Sequence, residues 1–417
     1  MKLRLSAFLT FMILVTSATA LSNGLALNSV GPKGLGMGGA FVGLANDYTA
    51  IFWNPAGLTQ MQNNFIGAYV TDVIPMGTYK LDAAKIDAKT NVVHYAMPGI
   101  TGGYHWNVAE NTVFALGVYA PAGLGTEWNG VDLASFANGV DTIQWKTKIG
   151  LITIAPAIAY KFSDQFSVGA ALDIYYAMFD LKKPSAAGTQ YSESSHGFGA
   201  TATFSILSKP TEEFSFGLSL RLKTNVKMRG TVDMPILARY GLMTSSNFDR
   251  NVGWPMWLAL GFAYHPMKTL VLTADIQFTQ WSVTEDKFVA DYSQPKWRAL
   301  LYPGANNIIV LHWNDATQLR LGADYSVTEQ FDVRAGFYVD PAPAPDQTLN
   351  VLFPSISYTG ISLGIGYKID KFVIDAAGEY LFGKDREIPL ASTTYYNMPG
   401  TQGMDVPAWS LGIGYEF

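Results

Sequence analysis

Apolar and polar residues alternate with a period of two along most of the chain. Phe214, Phe216, Leu218, Leu220 and Leu222 alternate with Ser215, Gly217, Ser219, Arg221 and Lys223. The same pattern runs through Leu270 to Phe278, Ile361 to Ile369 and Trp409 to Phe417. Successive side chains of a strand point to opposite faces, so each segment predicts a strand with one apolar face and one polar or small face. The segments reach about ten residues or more, against about 5–6 for a soluble strand. Tight turns at Ser163-Asp164-Gln165, Thr328-Glu329-Gln330 and Asp370-Lys371 contrast with long connections at 121–142, 234–255 and 283–314. A soluble sandwich would bury the apolar faces in a core, whereas a membrane barrel turns them to lipid. Strand length and the short-turn, long-loop alternation favour the barrel.

The pattern predicts an all-β fold, a transmembrane antiparallel barrel of about fourteen strands. The expected spans are 64–74, 92–106, 111–120, 143–162, 166–183, 196–208, 214–232, 256–265, 270–282, 315–327, 331–340, 358–369, 372–387 and 405–417. The fourth is the least regular, with Pro156 predicting a bulge or broken pairing. Trp254, Trp257, Trp281, Tyr358, Tyr395, Tyr396 and Trp409 lie near strand ends, where an interfacial aromatic girdle is expected.

Composition narrows the choice. Only 15% of the 417 residues are charged, well below the roughly 25% of soluble proteins. The net charge of −5 offers no basic surface for nucleic acid. With no cysteine there is no disulfide, thiolate metal site or cysteine nucleophile. The five histidines, His94, His105, His196, His265 and His312, show no metal-ligand spacing. No Gly-x-Ser-x-Gly appears, so the sequence gives no catalytic residue, metal or cofactor, and an enzyme is not expected.

Residues 1–20 read as a secretory signal peptide. Lys2 and Arg4 precede an apolar run from Leu5 to Val15, and Ala18-Thr19-Ala20 is a small-x-small cleavage site. Residues 21–63 are glycine-rich instead of alternating. A phosphate loop is not supported there, because no Gly-Lys-Ser/Thr follows. A compact plug inside the barrel fits better, leaving 64–417 as the barrel.

Several stretches resemble FadL-type outer-membrane transporters of hydrophobic compounds. They are Gly34-x-Gly36-x-Gly38-Gly39-Ala40, Asn54-Pro55-Ala56-Gly57-Leu58 and Ala120-Pro121-Ala122-Gly123-Leu124-Gly125-Thr126-Glu127-Trp128. Others are Asp275 to Ser282, Leu319 to Tyr325, Val333 to Phe337 and Pro343-x-Pro345-Asp346. Ala122 departs from the pattern, since many relatives carry Phe there. The resemblance implies a fourteen-stranded barrel, a hatch carrying Asn54, Pro55 and Ala56, and a bacterial outer-membrane location. It also implies passive uptake of long-chain fatty acids or of aromatic and aliphatic hydrocarbons. Ligand would pass from an outer groove to a lumen pocket and leave sideways beside a kinked third strand. The expected partners are that hydrophobic ligand and outer-membrane lipids, with the chain a monomer.

Candidate ligand contacts follow from the pattern. Leu124, Trp128, Leu133 and Phe136 in one long loop, and Ile236, Leu237, Leu242, Met243 and Phe248 in another, are expected as an exposed apolar landing surface. Arg221, Lys223, Asn225, Lys227 and Arg229 would share the inward face of the seventh strand. Such a basic ladder could receive a carboxylate, or be neutralised by Asp173, Asp275, Asp375 and Glu379. The turn at 328–330 sets Asp324 opposite Arg334 and Tyr338 opposite Arg320, which makes Arg320 the freer donor. A general porin is the rival reading. It would keep an open charged lumen and have no use for a plug.

Overall fold

A computed structural model describes residues 24, 27, 29–106, 111–123, 125–185, 188–283, 287–297, 308–394 and 396–417. The expected signal peptide, Leu124 and Tyr395 lie outside the described residues. The barrel strands are β1 (Phe65–Val73), β2 (Tyr95–His105), β3 (Thr112–Ala122), β4 (Trp145–Ser163), β5 (Phe166–Pro184), β6 (Gln190–Ser208) and β7 (Phe214–Arg221). The second half comprises β8 (Trp257–Met267), β9 (Leu270–Thr279), β10 (Ala316–Ser326), β11 (Phe331–Asp340), β12 (Ser357–Ile369), β13 (Phe372–Lys384) and β14 (Gly400–Glu416). Each pairs antiparallel with its neighbours in sequence, and β14 returns to β1 with Phe65 opposite Glu416 and Val73 opposite Ala408. The sheet is therefore closed, which removes its free edge strands.

The alternation is inverted relative to a soluble protein. On β1, Ile66 and Val70 are exposed while Phe65, Tyr69 and Val73 are buried. On β12, Ile361, Leu363, Ile365, Tyr367 and Ile369 all face outward, with Ser362 buried between them. A continuous band of exposed Leu, Ile, Val and Phe is stable only against lipid. Among the described residues no helix is long and apolar enough to cross a membrane; the crossing elements are strands.

The expected aromatic girdle is only partly present, with Trp409 and Tyr396 exposed. Trp281 and Trp257 are buried within the barrel. Other exposed rings gather at the short-turn end, where Tyr160, Phe162 and Phe166 stack in sequence, as do Phe372, Tyr415 and Phe417. Pro156 gives the broken pairing that was one of its two expected outcomes, and no bulge. The β4–β5 register is unchanged across it, although pairing lapses at 155–156, because proline has no N–H to donate.

Strands at the long-loop end reach further than expected. β6 begins at Gln190 instead of 196, and β14 at Gly400 instead of 405. Beyond β7 a second strand, Thr224–Asp233, pairs with Ser245–Trp254, so much of the supposed loop 234–255 is sheet. Leu222 and Lys223 form the break between the two strands of this wall. Alternation slips across it: Arg221 is buried, Lys223 is exposed, and Val226 and Met228 then turn inward while Lys227 and Arg229 face out. The predicted basic ladder therefore does not exist.

The N-terminal segment lies inside the barrel. It contains a short helix α1 (Pro32–Gly36), a single turn α2 (Ala50–Trp53) and a 3-10 turn at Pro55–Gln60. The barrel wall makes room for it with glycine. A Cβ at Gly217 would come within 2.0 Å of the Val42 carbonyl oxygen, and one at Gly336 within 2.0 Å of the Gly38 nitrogen.

Candidate functional site

The inner wall and the N-terminal segment are joined by hydrogen bonds between barrel side chains and segment backbone. Asp275 accepts from the amides of Phe41 and Val42, both at 3.0 Å. Arg320 donates through Nη1 to the Gly38 carbonyl at 2.8 Å, and through Nε and Nη2 to Gln318. Its guanidinium also lies over the Tyr338 ring. Arg221 donates through Nη2 to the Phe52 carbonyl at 3.0 Å and through Nε to Thr203. It is held between the Phe52 and Trp257 rings, 3.5 Å from Asp173. Arg320 is not the freer donor expected from the sequence, and Arg221 meets Asp173, the neutralising partner that was its alternative; both also hold the segment. A buried cation needs such partners to offset its lost hydration.

Asn54 has the same role. Its Nδ2 donates to Val42 O within the segment and to Ile206 O on β6, and its Oδ1 accepts from Ala56 N. Pro55 opens the 3-10 turn, where a missing N–H costs nothing. Arg334 behaves as the register predicted. It bridges Asp324 at 3.2 Å, Asp375 at 2.5 Å and Asp332 at 3.5 Å.

At the long-loop end the predicted landing residues are packed, not exposed. Trp128, Leu133, Ile236, Leu237 and Phe248 are buried in one apolar cluster, with Phe136 and Leu242 partly buried against it. Of that set Met243 alone is strongly exposed. The long loops fold over the barrel mouth and cover each other, which removes apolar surface from water. Trp128 is tied into this roof by its indole N–H, which donates to Val351 O at 2.9 Å.

Beneath the roof lies an apolar cavity of about 100 Å³. The N-terminal segment contributes Leu27, Ser29 and Leu35; β1 gives Val73; β4 gives Thr147 and Ile149; β13 gives Glu379 and Leu381; β14 gives Met404, Val406 and Ala408. Leu352, Phe353 and Ile356, from the connection before β12, close it together with Trp313. Sequence reasoning missed these residues. The signal available was the run Val351-Leu352-Phe353-Pro354, apolar in a loop where polar residues are the rule.

The cavity adjoins a break in the wall. β2 and β3 pair from His105–Val113 up to Gly99–Tyr119 and no further. Pairing resumes only at Thr90 and Trp128, in the same register. Between them, among the described residues, the backbone ladder over 91–98 and 120–127 holds one bond, Asn91 N to Glu127 O. The cause is legible: Pro98 stands on one side and Pro121 on the other, and neither can donate. β3 stays with β4 through a one-residue bulge between Tyr119 and Ala122. The freed Pro121 carbonyl accepts from Leu27 N of the N-terminal segment at 2.9 Å. The Met97 side chain lies across the opening, so near that a Cβ on Gly123 would come within 2.7 Å of its methyl carbon. Gly125 and Thr126 line both the break and the cavity.

A family model described as outer membrane protein transport protein (OMPP1/FadL/TodX) matches residues 13–417. The chain belongs to this family. A Pseudomonas aeruginosa FadL homologue superposes with a TM-score of 0.80 at 17% identity, covering 95% of this chain and 100% of the other. The Pseudomonas putida toluene transporter TodX gives 0.72 at 16%, covering 96% and 100%. The Ralstonia pickettii toluene transporter TbuX gives 0.68 at 18%, covering 94% and 99%. No curated protein sequence matches the chain. This is thus an outer-membrane transport protein built as a closed fourteen-stranded barrel.

Proposed function

We propose that the chain is a passive channel that admits small hydrophobic molecules across the outer membrane and releases them sideways into it. Residues 21–63 act as the hatch, and 64–417 as the barrel that holds it. The mature chain begins at Leu21 and works as a monomer without cofactor or catalysis. The observation that carries this reading is the apolar cavity adjoining the proline-flanked break between β2 and β3. An axial path would have to displace the N-terminal segment from its bonds to Asp275, Arg320 and Arg221, whereas a sideways path runs past the Met97 side chain where the ladder is already open. The roof containing Trp128, Leu133, Phe136, Ile236, Leu237, Leu242 and Phe248, with Met243 at its surface, is the apolar layer a ligand meets first. Relatives described as toluene transporters agree with this cargo class.

The test is reconstitution into liposomes. Toluene-sized neutral molecules should enter faster than in protein-free vesicles, while sucrose-sized hydrophilic solutes should not. Rapid entry of sugars with no gain for hydrophobic molecules would make the chain a general porin.

A further inference from the structure

The polar side chains lining the cavity are the Glu379 and Asp340 carboxylates, several hydroxyls and the Trp313 indole, and among the described residues no Lys, Arg or His lines it. Asp340 is engaged by Gln318 at 2.8 Å. Glu379 is buried beside the Tyr338 hydroxyl, yet its Oε2 accepts no well-aligned hydrogen bond. Ser29 Oγ and Thr147 Oγ1, also buried and lining the cavity, have no partner. The nearest cation, Arg320, lies behind the Tyr338 ring with its donors turned to Gly38 and Gln318.

We propose that the preferred occupant is an uncharged molecule of one ring or a short chain that carries a hydroxyl donor, such as a phenol or a small alcohol. The proposal rests on the uptake reading above and narrows its cargo. A carboxylate would give up its hydration beside Asp340 and Glu379 with no base to receive it, and an unpaired buried charge is costly. A pure hydrocarbon would fill the space but leave buried acceptors unpaired. A hydroxyl supplies the missing donor to Glu379 and can itself accept from Ser29 or Thr147. The volume of about 100 Å³, smaller than the cavity on the order of 150 Å³ that takes benzene, limits the occupant to one small ring or a short chain.

Three probes share a methyl-substituted ring: p-cresol, toluene and 4-methylbenzoate. Binding to the full chain in lipid nanodiscs at neutral pH is followed through tryptophan fluorescence, because Trp313 lines the cavity. p-Cresol should bind up to roughly tenfold more tightly than toluene, the worth of one net hydrogen bond, and 4-methylbenzoate should bind weakest. Glu379→Gln should narrow the cresol preference and improve 4-methylbenzoate binding, a gain that a merely structural role would not produce. Toluene binding as tightly as p-cresol, tighter binding of 4-methylbenzoate, or an unchanged ranking in the variant would overturn the proposal. If toluene still crosses liposomes in any of those cases, the uptake reading stands alone; if no probe binds or crosses, both fall.

Discussion

The Arg320 guanidinium reaches from the barrel wall to the Gly38 carbonyl and holds it at 2.8 Å. A tenth-strand side chain thereby fixes backbone that lies more than 280 residues earlier in the chain.

Replacing Arg320 by Met should loosen the hatch while preserving volume. One carbonyl and one glutamine oxygen lose their donors, at a cost of about 1–3 kcal/mol. The expected result is larger current noise and occasional ion-sized openings in planar bilayers, with the barrel itself still heat-modifiable on gels. A silent bilayer trace identical to the parent's would show that the other hatch bonds suffice.

Arg334 is a different case, because its partners are all wall carboxylates. Arg334→Ala leaves Asp324, Asp332 and Asp375 crowded without their shared cation, although Lys33 stays near Asp324 and Lys368 near Asp332. Removing one partner from a buried pair costs about 3–5 kcal/mol. The midpoint of heat-induced gel-mobility change should fall accordingly, and uptake by correctly folded molecules should be spared.

Met97 offers the cleanest test of the exit. Met97→Ala should widen the break and speed hydrophobic uptake in liposomes, and Met97→Trp should slow it. Flux that ignored both substitutions would place the exit elsewhere.

Leu133 is fully buried in the roof. Leu133→Ala should destabilise the outer loops by about 2–5 kcal/mol, seen as faster proteolysis there, while the membrane-embedded strands stay protected. Leu133→Ser adds an unsatisfied hydroxyl and should be worse.

The barrel was legible because lipid imposes a strict period of two, and tight turns then fix register: Asp324 falls opposite Arg334 by counting alone. Where the chain slips, counting fails. The break at Leu222 and Lys223 inverts every later side chain on that wall, so Lys227 and Arg229 were assigned to the wrong face. The roles of Arg221 and Arg320 were hidden for another reason. Their partners are the carbonyls of Phe52 and Gly38, and a carbonyl leaves no mark on residue identity. The roof residues were misplaced because apolar character in a loop reads as exposure until another loop is known to cover it. The sideways break, in contrast, was written in Pro98 and Pro121, but only pairing shows that the two prolines fall one position apart on neighbouring strands.

The seam between β1 and β14 sets an order on assembly. The hatch connects directly to β1, and the last strand is the one that closes the wall beside it. Val42 and Gly38 are bedded against glycines on β7 and β11, in hollows that open only to the inside. Seating the segment while the wall is still an open sheet spares it a passage into a closed barrel. The geometry favours packing first and sealing second, with the ends joined once residues 29–63 are in place.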